Sequence, residues 1–322
     1  SGQVLWKHGF SDFISDIIYN RYSIGSPAID SETGNVYMMS SAGIVGCFTA
    51  DGKMIWQRSM MEEFGRLTFP NGRTGSPVVD GDLVIVRGIT TNWGREGPAR
   101  DRFYAFDKRV GDLVWSSTPG VGPPFLKDSS FSTPVLASRH GRRVFYAGTG
   151  CGNVVCVDAR TGDPIWRFQL TRGGINSSVV LYQDSIIAIH GKENLDSTSV
   201  GRMVALQPDP RVEASQARVV LDPSAERWRN ALSIFTSSPV LVGQRVYQCT
   251  ATGDLGCIDV ESGQVLWKQK LGPDQLHASP LAADGKLYVP IHNGLFYILR
   301  PSDSGAEILN KVRLEGSCLG AP

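Results

Sequence analysis

The chain has 322 residues, 41% of them hydrophobic, and its 32 basic residues nearly balance its 31 acidic ones. Because both signs are scattered along the sequence, it lacks the basic face that binds nucleic acid or an anionic membrane. No run approaches the roughly 18 apolar residues of a transmembrane helix. Since the sequence starts inside a repeat phrase, we expect a processed N-terminus and a periplasmic or envelope-associated protein whose signal or anchor lies outside this sequence.

Two short phrases recur along the chain. The first, a Gly followed four positions later by a Trp, ends at Trp6, Trp56, Trp115, Trp166 and Trp267. Spacings of roughly 50 residues, or a multiple of that, are typical of solenoids, propellers and arrays. The second phrase keeps the same spacing and reads Gly25-Ser26-Pro27, Gly75-Ser76-Pro77, Ser132-Thr133-Pro134, Ser237-Ser238-Pro239 and Ala278-Ser279-Pro280.

The segment from Ser238 to Trp267 shows what one repeat contains. Four short runs rich in apolar residues are separated by turns at Gly243, Gly253 and Gly263. Short strands bounded by Gly, Asp and Ser residues predict an antiparallel meander of four strands. The repeat Trp falls in the fourth, outer strand, where we expect its ring to pack between neighbouring blades.

The predicted fold is all-β, a β-propeller of four-stranded antiparallel blades in one domain over residues 1–322. The predicted repeats are 23–58, 73–117, 130–168, 174–221, 235–269 and 276–314, and the fourth has no terminal Trp. Residues 1–7 and 315–322 supply complementary fragments of one more blade. We therefore predict seven blades, with a six-bladed ring as the alternative; closure of the ring leaves no long exposed edge.

Two segments, Val157 to Trp166 and Ile258 to Trp267, resemble the pyrroloquinoline-quinone-type propeller repeat with its tryptophan-docking motif. That repeat is found in quinoprotein alcohol dehydrogenases and in the propeller lipoprotein of the outer-membrane assembly complex. The resemblance covers essentially the whole chain. It implies the propeller fold, and either a cofactor enzyme or a cofactor-free scaffold, because the same repeat serves both.

The resemblance also implies what a quinoprotein dehydrogenase would need. Such enzymes stack the quinone on a disulfide between adjacent cysteines and bind calcium through carboxylates beside a catalytic Asp. No two of the six cysteines are adjacent here, and no cluster of Asp, Glu and Asn is placed to cap the channel. We therefore predict no catalytic residue, no metal site and no quinone cofactor. Motifs for serine hydrolysis, nucleotide binding and zinc hydrolysis are also missing.

The cysteines have structural interpretations. Cys47, Cys156 and Cys257 hold the same place in their repeats, and we expect them to be small buried core residues. Cys249 and Cys257 flank a turn that the sequence centres on Gly253. That turn would place the two thiols opposite each other on adjacent strands, where a disulfide could form.

The long connections, between second and third strands and between blades, are expected to emerge on one face of the propeller. Trp93 and Trp228, two tryptophans that the Gly-to-Trp phrase does not explain, fall in them together with many arginines. Because Arg and Trp are enriched at binding hot spots, we predict that this loop face contacts a protein partner. The candidate residues are Arg66, Trp93, Arg95, Arg100, Trp228 and Arg229.

A second candidate site lies where the second strands end, near the upper mouth of the central channel. The side chains expected there could bind an anion or another small ligand: Arg73, Arg87, Arg172, His190, His277 and His292. The three histidines could instead hold a transition metal, although hydrogen-bonded channel lining is the preferred interpretation.

We predict a non-catalytic scaffold or binding module that presents its loop face to a protein partner in the cell envelope. The alternatives are a quinoprotein-like redox enzyme and a small-ligand-binding sensor that uses the central channel.

Overall fold

A computed structural model describes residues 2–10, 25–65, 67–68, 75–90, 100–120, 130–214, 218–273, 276–316, 318 and 320. Within these ranges the strands form six sheets, which we call blades 1 to 6. Each blade contains four antiparallel strands in chain order. This arrangement confirms the predicted all-β propeller class, while the number of seven blades remains a prediction.

The first half of the chain forms blades 1 to 3. Blade 1 contains β1 (Ala28–Ile29), β2 (Val36–Met39), β3 (Ile44–Phe48) and β4 (Met54–Ser59). Blade 2 contains β5 (Leu67–Thr68), β6 (Val78–Asp80), β7 (Leu83–Thr90), β8 (Arg100–Asp107) and β9 (Leu113–Ser117). Blade 3 contains β10 (Val135–Arg139), β11 (Arg142–Gly148), β12 (Asn153–Asp158) and β13 (Pro164–Gln169).

The second half forms blades 4 to 6 and one added strand, β17. Blade 4 contains β14 (Val180–Tyr182), β15 (Ser185–Glu193), β16 (Val200–Leu206) and β18 (Glu226–Asn230), and β17 (Val219–Val220) is the added strand. Blade 5 contains β19 (Val240–Val242), β20 (Arg245–Cys249), β21 (Asp254–Asp259) and β22 (Val265–Lys270). Blade 6 contains β23 (Leu281–Ala283), β24 (Lys286–Pro290), β25 (Leu295–Pro301) and β26 (Ala306–Arg313). The helices described are α1 (Met60–Phe64), α2 (Pro210–Ala214) and a 3-10 turn at Pro223–Ala225.

The predicted end of the fourth repeat, residue 221, is wrong. The fourth strand of blade 4 is β18, which pairs with β16. Residues 207–225 lie between these two strands, and β17 within them pairs in parallel with β13 of blade 3. Val219 and Val220 have the composition of a strand, but they pair with blade 3. A fourth repeat that ends just after them therefore stops before β18, the true last strand of blade 4.

Cross-strand ladders fill the blades with alternating large and small side chains. In blades 1, 3 and 5 a Tyr on the second strand faces a Cys on the third, and the Cys faces the repeat Trp on the fourth. Cys47, Cys156 and Cys257 are each fully buried, which confirms their prediction as core residues. The thiol is small enough to fit between two aromatic rings and polarisable enough to pack well against them.

Cys249 and Cys257 do not face each other. Cys249 lies opposite Leu255, and Cys257 lies opposite Tyr247, because the turn is centred one residue earlier than the sequence indicates. Both thiols are free. A shift of this kind changes every cross-strand neighbour, so the expected contact between the two cysteines is lost.

The repeat tryptophans join each blade to the next. Trp56 Nε1–H donates to the Lys108 carbonyl at 3.0 Å, and Trp115 Nε1–H donates to the Ala159 carbonyl at 3.2 Å. Trp6 and Trp267 make the same kind of bond to the Ala50 and Ser302 carbonyls. The blade-docking role predicted for these residues therefore has a defined geometry, an indole N–H bonded to a backbone carbonyl of the following blade.

A glycine in the following blade makes room for the rings of Trp6, Trp56 and Trp115. A Cβ atom added to Gly162 would lie 2.6 Å from Cε3 of Trp115, and the φ angle of Gly162 is +76°. Any other residue would both clash with the indole and strain the turn. The Gly and the Trp of one phrase therefore serve two different interfaces. Gly52, Gly111 and Gly162 each receive the Trp of the preceding blade, whereas the Trp of the same phrase packs toward the following blade.

Trp166 departs from this pattern because its neighbour in blade 4 has no matching turn. Its Nε1–H donates to the carboxylate of Glu213 on α2 at 3.0 Å, and the Tyr146 hydroxyl donates to the same oxygen at 2.8 Å. Glu213 is only 6% exposed. The segment 207–225 therefore provides a side-chain acceptor where the other blades provide a backbone carbonyl.

We predict that Trp166→Ala lowers the free energy of unfolding by about 3–5 kcal/mol, because it removes a fully buried ring. Urea denaturation measures the loss. Leu113→Ala, at an exposed position of the outer strand of blade 2, is the control and should cost much less. Equal losses in the two variants would contradict the docking role.

Replacing Glu213 tests the side-chain acceptor. Glu213→Ala leaves the buried Trp166 N–H and Tyr146 O–H without an acceptor, and each unsatisfied group costs about 1–3 kcal/mol. Glu213→Gln keeps a carbonyl oxygen and should retain most of the stability in the same urea experiment. If the alanine variant is as stable as the glutamine variant, the carboxylate does not hold the two donors.

Candidate functional site

Arg87, predicted at the channel mouth, is a buried link between blades 2 and 3. It is 4% exposed and forms an ion pair with Asp101, which is also buried. Its guanidinium donates to the Ser130 hydroxyl at 2.9 Å and to the Ser132 carbonyl at 2.6 Å. These groups neutralise and bind the cation inside the protein, which leaves it poorly placed to bind a ligand in the channel.

His190 is fully buried near the end of β15. Its Nδ1 accepts a hydrogen bond from the Lys192 backbone N–H at 3.2 Å, so the ring is neutral with its proton on Nε2. Burial, together with the positive charge of Arg202, lowers the pKa of His190 to about 4. This imidazole belongs to the blade interior.

His277 and His292 are the two predicted channel-mouth residues that the structure brings together. Their ring centroids are 5.7 Å apart, and His277 also contacts the Phe235 ring at 4.7 Å. Arg172 is exposed and reaches the Leu195 carbonyl at 3.5 Å. Arg73 lies outside the described residues. Within the part of the chain that is described, no group of three or more His, Cys, Asp or Glu side chains could hold a metal ion.

Trp228 is not on an exposed partner face. It is 8% exposed, and its Nε1–H donates to the Val260 carbonyl at 2.9 Å while its ring lies against Gly263. It is therefore the docking Trp of blade 4, and the prediction that the repeat does not explain it is wrong. The sequence did contain a clue to this role. The turn at Gly263 receives a Trp from the preceding blade, and Trp228 is the only Trp between residues 207 and 239.

Arg229, the next residue, does reach the surface. Its guanidinium forms ion pairs with Glu226 and, at 2.7 Å, with Asp196 in the connection between β15 and β16. Arg202 also binds Asp196, at 2.6 Å, and these two cations hold the pKa of the Asp196 carboxyl well below its usual range. The remaining candidates of the loop face, Arg66, Trp93 and Arg95, lie outside the described residues, and Arg100 is described only as the first residue of β8.

The connection between β15 and β16 is held in place by blade 3. The Thr171 hydroxyl and the Arg172 N–H both donate to the Glu193 carbonyl, at 2.9 and 3.2 Å. The connection exposes the apolar side chain of Leu195 at 41%, and Val200, the first residue of β16, is 55% exposed beside it. Sequence analysis did not select these residues, because neither has the residue type that marks an interface hot spot.

Comparison with known proteins identifies the family. A sequence profile described as outer membrane protein assembly factor BamB matches residues 99–200 and 215–303, which is more than half of the chain. The chain belongs to the BamB family. The match includes every strand of blades 3 and 5, and its gap at residues 201–214 takes in most of β16 and the helix α2.

Individual relatives include BamB proteins and a quinoprotein enzyme. BamB of Yersinia pestis is 22% identical over 304 residues, which cover 89% of this chain. The crystal structure of BamB from Moraxella catarrhalis superposes with a TM-score of 0.66 and 16% identity, covering 92% of this chain and 78% of that one. Quinoprotein glucose dehydrogenase A of Acinetobacter calcoaceticus is 24% identical over 162 residues, 41% of this chain and 20% of the enzyme.

The match covers part of these relatives only. It spans 66% of the Yersinia BamB sequence. None of the helices described here is long and apolar enough to cross a membrane.

Two of the channel-mouth residues of this BamB-family chain, Arg87 and His190, are not available to a quinone. Arg87 is bound to Asp101 inside the protein, and His190 has no exposed surface, so neither can reach a planar cofactor in the channel. Cys151 and Cys249 are free thiols. The donor set that a quinone needs is therefore not assembled by these residues.

The buried His190 predicts a pH dependence of stability. The folded-state pKa of about 4 lies below the ordinary 6.5, so between pH 6.5 and pH 4 the unfolded chain binds a proton that the folded chain does not. Stability therefore falls as the pH falls through this window. Urea denaturation at pH 7 and pH 4 should show a loss about 2–3 kcal/mol larger for the wild type than for His190→Gln. Equal losses would show that the imidazole is protonated within the fold.

Proposed function

We propose that this chain is a non-catalytic propeller scaffold that binds a protein partner during the assembly of outer-membrane proteins. Membership of the BamB family is the observation that carries the proposal. The family name describes a factor in the assembly of outer-membrane proteins, which supports a protein partner. The site of action would be the cell envelope.

The proposed contact surface is the connection between β15 and β16 together with the neighbouring Arg229. It combines two exposed apolar side chains, Leu195 and Val200, with a cation. An apolar centre with arginine beside it has the composition of a binding hot spot. Anchoring of the connection by Thr171 supports the proposal, because a preformed surface loses little conformational entropy on binding.

Substitutions in this surface should weaken partner capture without unfolding the protein. We expect Leu195→Asp to reduce capture of the outer-membrane assembly machinery at least tenfold, because it places a charge in the apolar centre, and Arg229→Glu to reduce it as well. Affinity purification from solubilised envelopes, with the captured proteins identified by mass spectrometry, measures the effect.

The control is Arg211→Glu in the connection between β16 and β18. The Arg211 side chain is 90% exposed, and its charge reversal should leave both capture and the melting temperature unchanged. The proposal is contradicted if Leu195→Asp and Arg229→Glu capture the machinery as well as the wild type does.

A further inference from the structure

The second sequence phrase, which the scaffold function does not use, places one hydroxyl at the start of each innermost strand. The residues are Ser26, Ser76, Thr133, Ser178, Ser238 and Ser279, one from each blade. Sequence analysis found the phrase in five blades. The structure adds Ser178 in blade 4, where Val179 replaces the usual Pro. We call these six side chains the hydroxyl ring.

Hydrogen bonds connect the hydroxyl ring from blade to blade. Each backbone N–H donates to the hydroxyl oxygen of the next blade. The five bonds run from Ser26 N to Ser76 Oγ at 2.8 Å, Ser76 N to Thr133 Oγ1 at 3.1 Å, Thr133 N to Ser178 Oγ at 2.9 Å, Ser178 N to Ser238 Oγ at 2.8 Å and Ser238 N to Ser279 Oγ at 2.8 Å.

The hydroxyl ring faces accessible space. Its members are partly or fully exposed, whereas the residues on both sides of them in blades 2 to 6 are buried, as with Ser177 at 0% and Val179 at 2% around Ser178. In a propeller the innermost strands surround the central channel. Alternation along an extended strand therefore turns these hydroxyls toward the channel and their neighbours into the blades.

Each bonded hydroxyl still has a proton to donate. Its oxygen accepts the N–H of the preceding blade, and none of the described residues is recorded as accepting the hydroxyl proton of Ser76, Thr133, Ser178, Ser238 or Ser279. A hydroxyl that accepts a hydrogen bond becomes a stronger donor, since bonded groups polarise one another. The backbone bonds thus hold several O–H donors around one axis.

Two buried carboxylates at the ends of innermost strands do not oppose an anion. Asp30 directly follows β1, and Asp80 is the last residue of β6. Asp30 binds Lys108 at 2.9 Å, and Asp80 binds Arg143 at 2.8 Å. Both carboxylates are therefore neutralised. His277, two residues before Ser279, adds an imidazole next to the hydroxyl ring.

We propose that the hydroxyl ring is a binding site for one carboxylate or similar small oxyanion on the axis of the central channel. O–H donors arranged around one axis suit the several acceptor lone pairs of such an anion. The anion is either a free small molecule or an acidic side chain of a protein partner, since both present the same chemistry.

Selenate, whose selenium scatters anomalously, is a direct probe. Crystals soaked in selenate should show an anomalous peak within hydrogen-bond distance of Thr133 Oγ1 and Ser178 Oγ, and acetate should displace it. Crystals soaked in rubidium should show no peak there. The proposal is overturned if no selenate peak forms at the hydroxyl ring or if rubidium occupies the site instead.

Variants with and without the hydroxyls test whether these groups hold the anion. Thr133→Val with Ser178→Val should lower the affinity for selenate at least tenfold in calorimetric titration, whereas Thr133→Ser with Ser178→Thr should keep it. The comparison requires that both double variants melt at temperatures close to that of the wild type. If the valine pair does not fold, Thr133→Val alone is compared with Thr133→Ser. Equal affinities in the valine and hydroxyl-bearing variants would refute the site.

The capture experiment identifies the source of the anion. If a partner supplies the carboxylate, the valine pair loses capture together with selenate binding. If the anion is free, the valine pair loses selenate binding alone. The selenate measurements use the isolated protein, so they stand or fall separately from the proposed partner surface at Leu195 and Arg229.

Discussion

The fold depends on the docking of one indole onto the next blade. The hydrogen bond from the Trp56 N–H to Lys108, repeated from Trp115 to Ala159 and from Trp228 to Val260, fixes each blade against its neighbour. At these three interfaces the indole binds a backbone carbonyl, so the sequence requirement reduces to a Trp on one blade and a Gly on the next. This explains why the phrase survives while most other positions differ between repeats.

Residues 207–225 show how the pattern can be broken and repaired. They replace the tight turn that would receive Trp166, and Glu213 supplies the missing acceptor. The same segment places β17 along the outer strand of blade 3, where Ile165 is 2% exposed, compared with 43% for Ile55 at the equivalent place in blade 1. An insertion in one blade has thus become part of the packing of another.

Local repeats predicted the blades, whereas contacts between distant segments could not be read from the sequence. The Gly and Trp spacing gave the fold class, the buried cysteines and five docking tryptophans. It missed Trp228, because no Gly precedes that residue at the usual distance, and it misplaced the turn beside Cys249 by one residue. The channel-mouth set was the least predictable. Arg87 and His190 are turned into the protein by partners such as Asp101 and Lys192, whose proximity depends on the tertiary structure.

The central claim is that the connection between β15 and β16 contacts a protein partner. Hydrogen–deuterium exchange of the chain, alone and bound to the outer-membrane assembly machinery, tests it most directly. The account predicts slower exchange in residues 194–201 and 226–230 on binding, with the turns at 107–112 and 159–163 unchanged. Protection confined to those turns, or unchanged exchange at residues 194–201 in a complex that has formed, would contradict it.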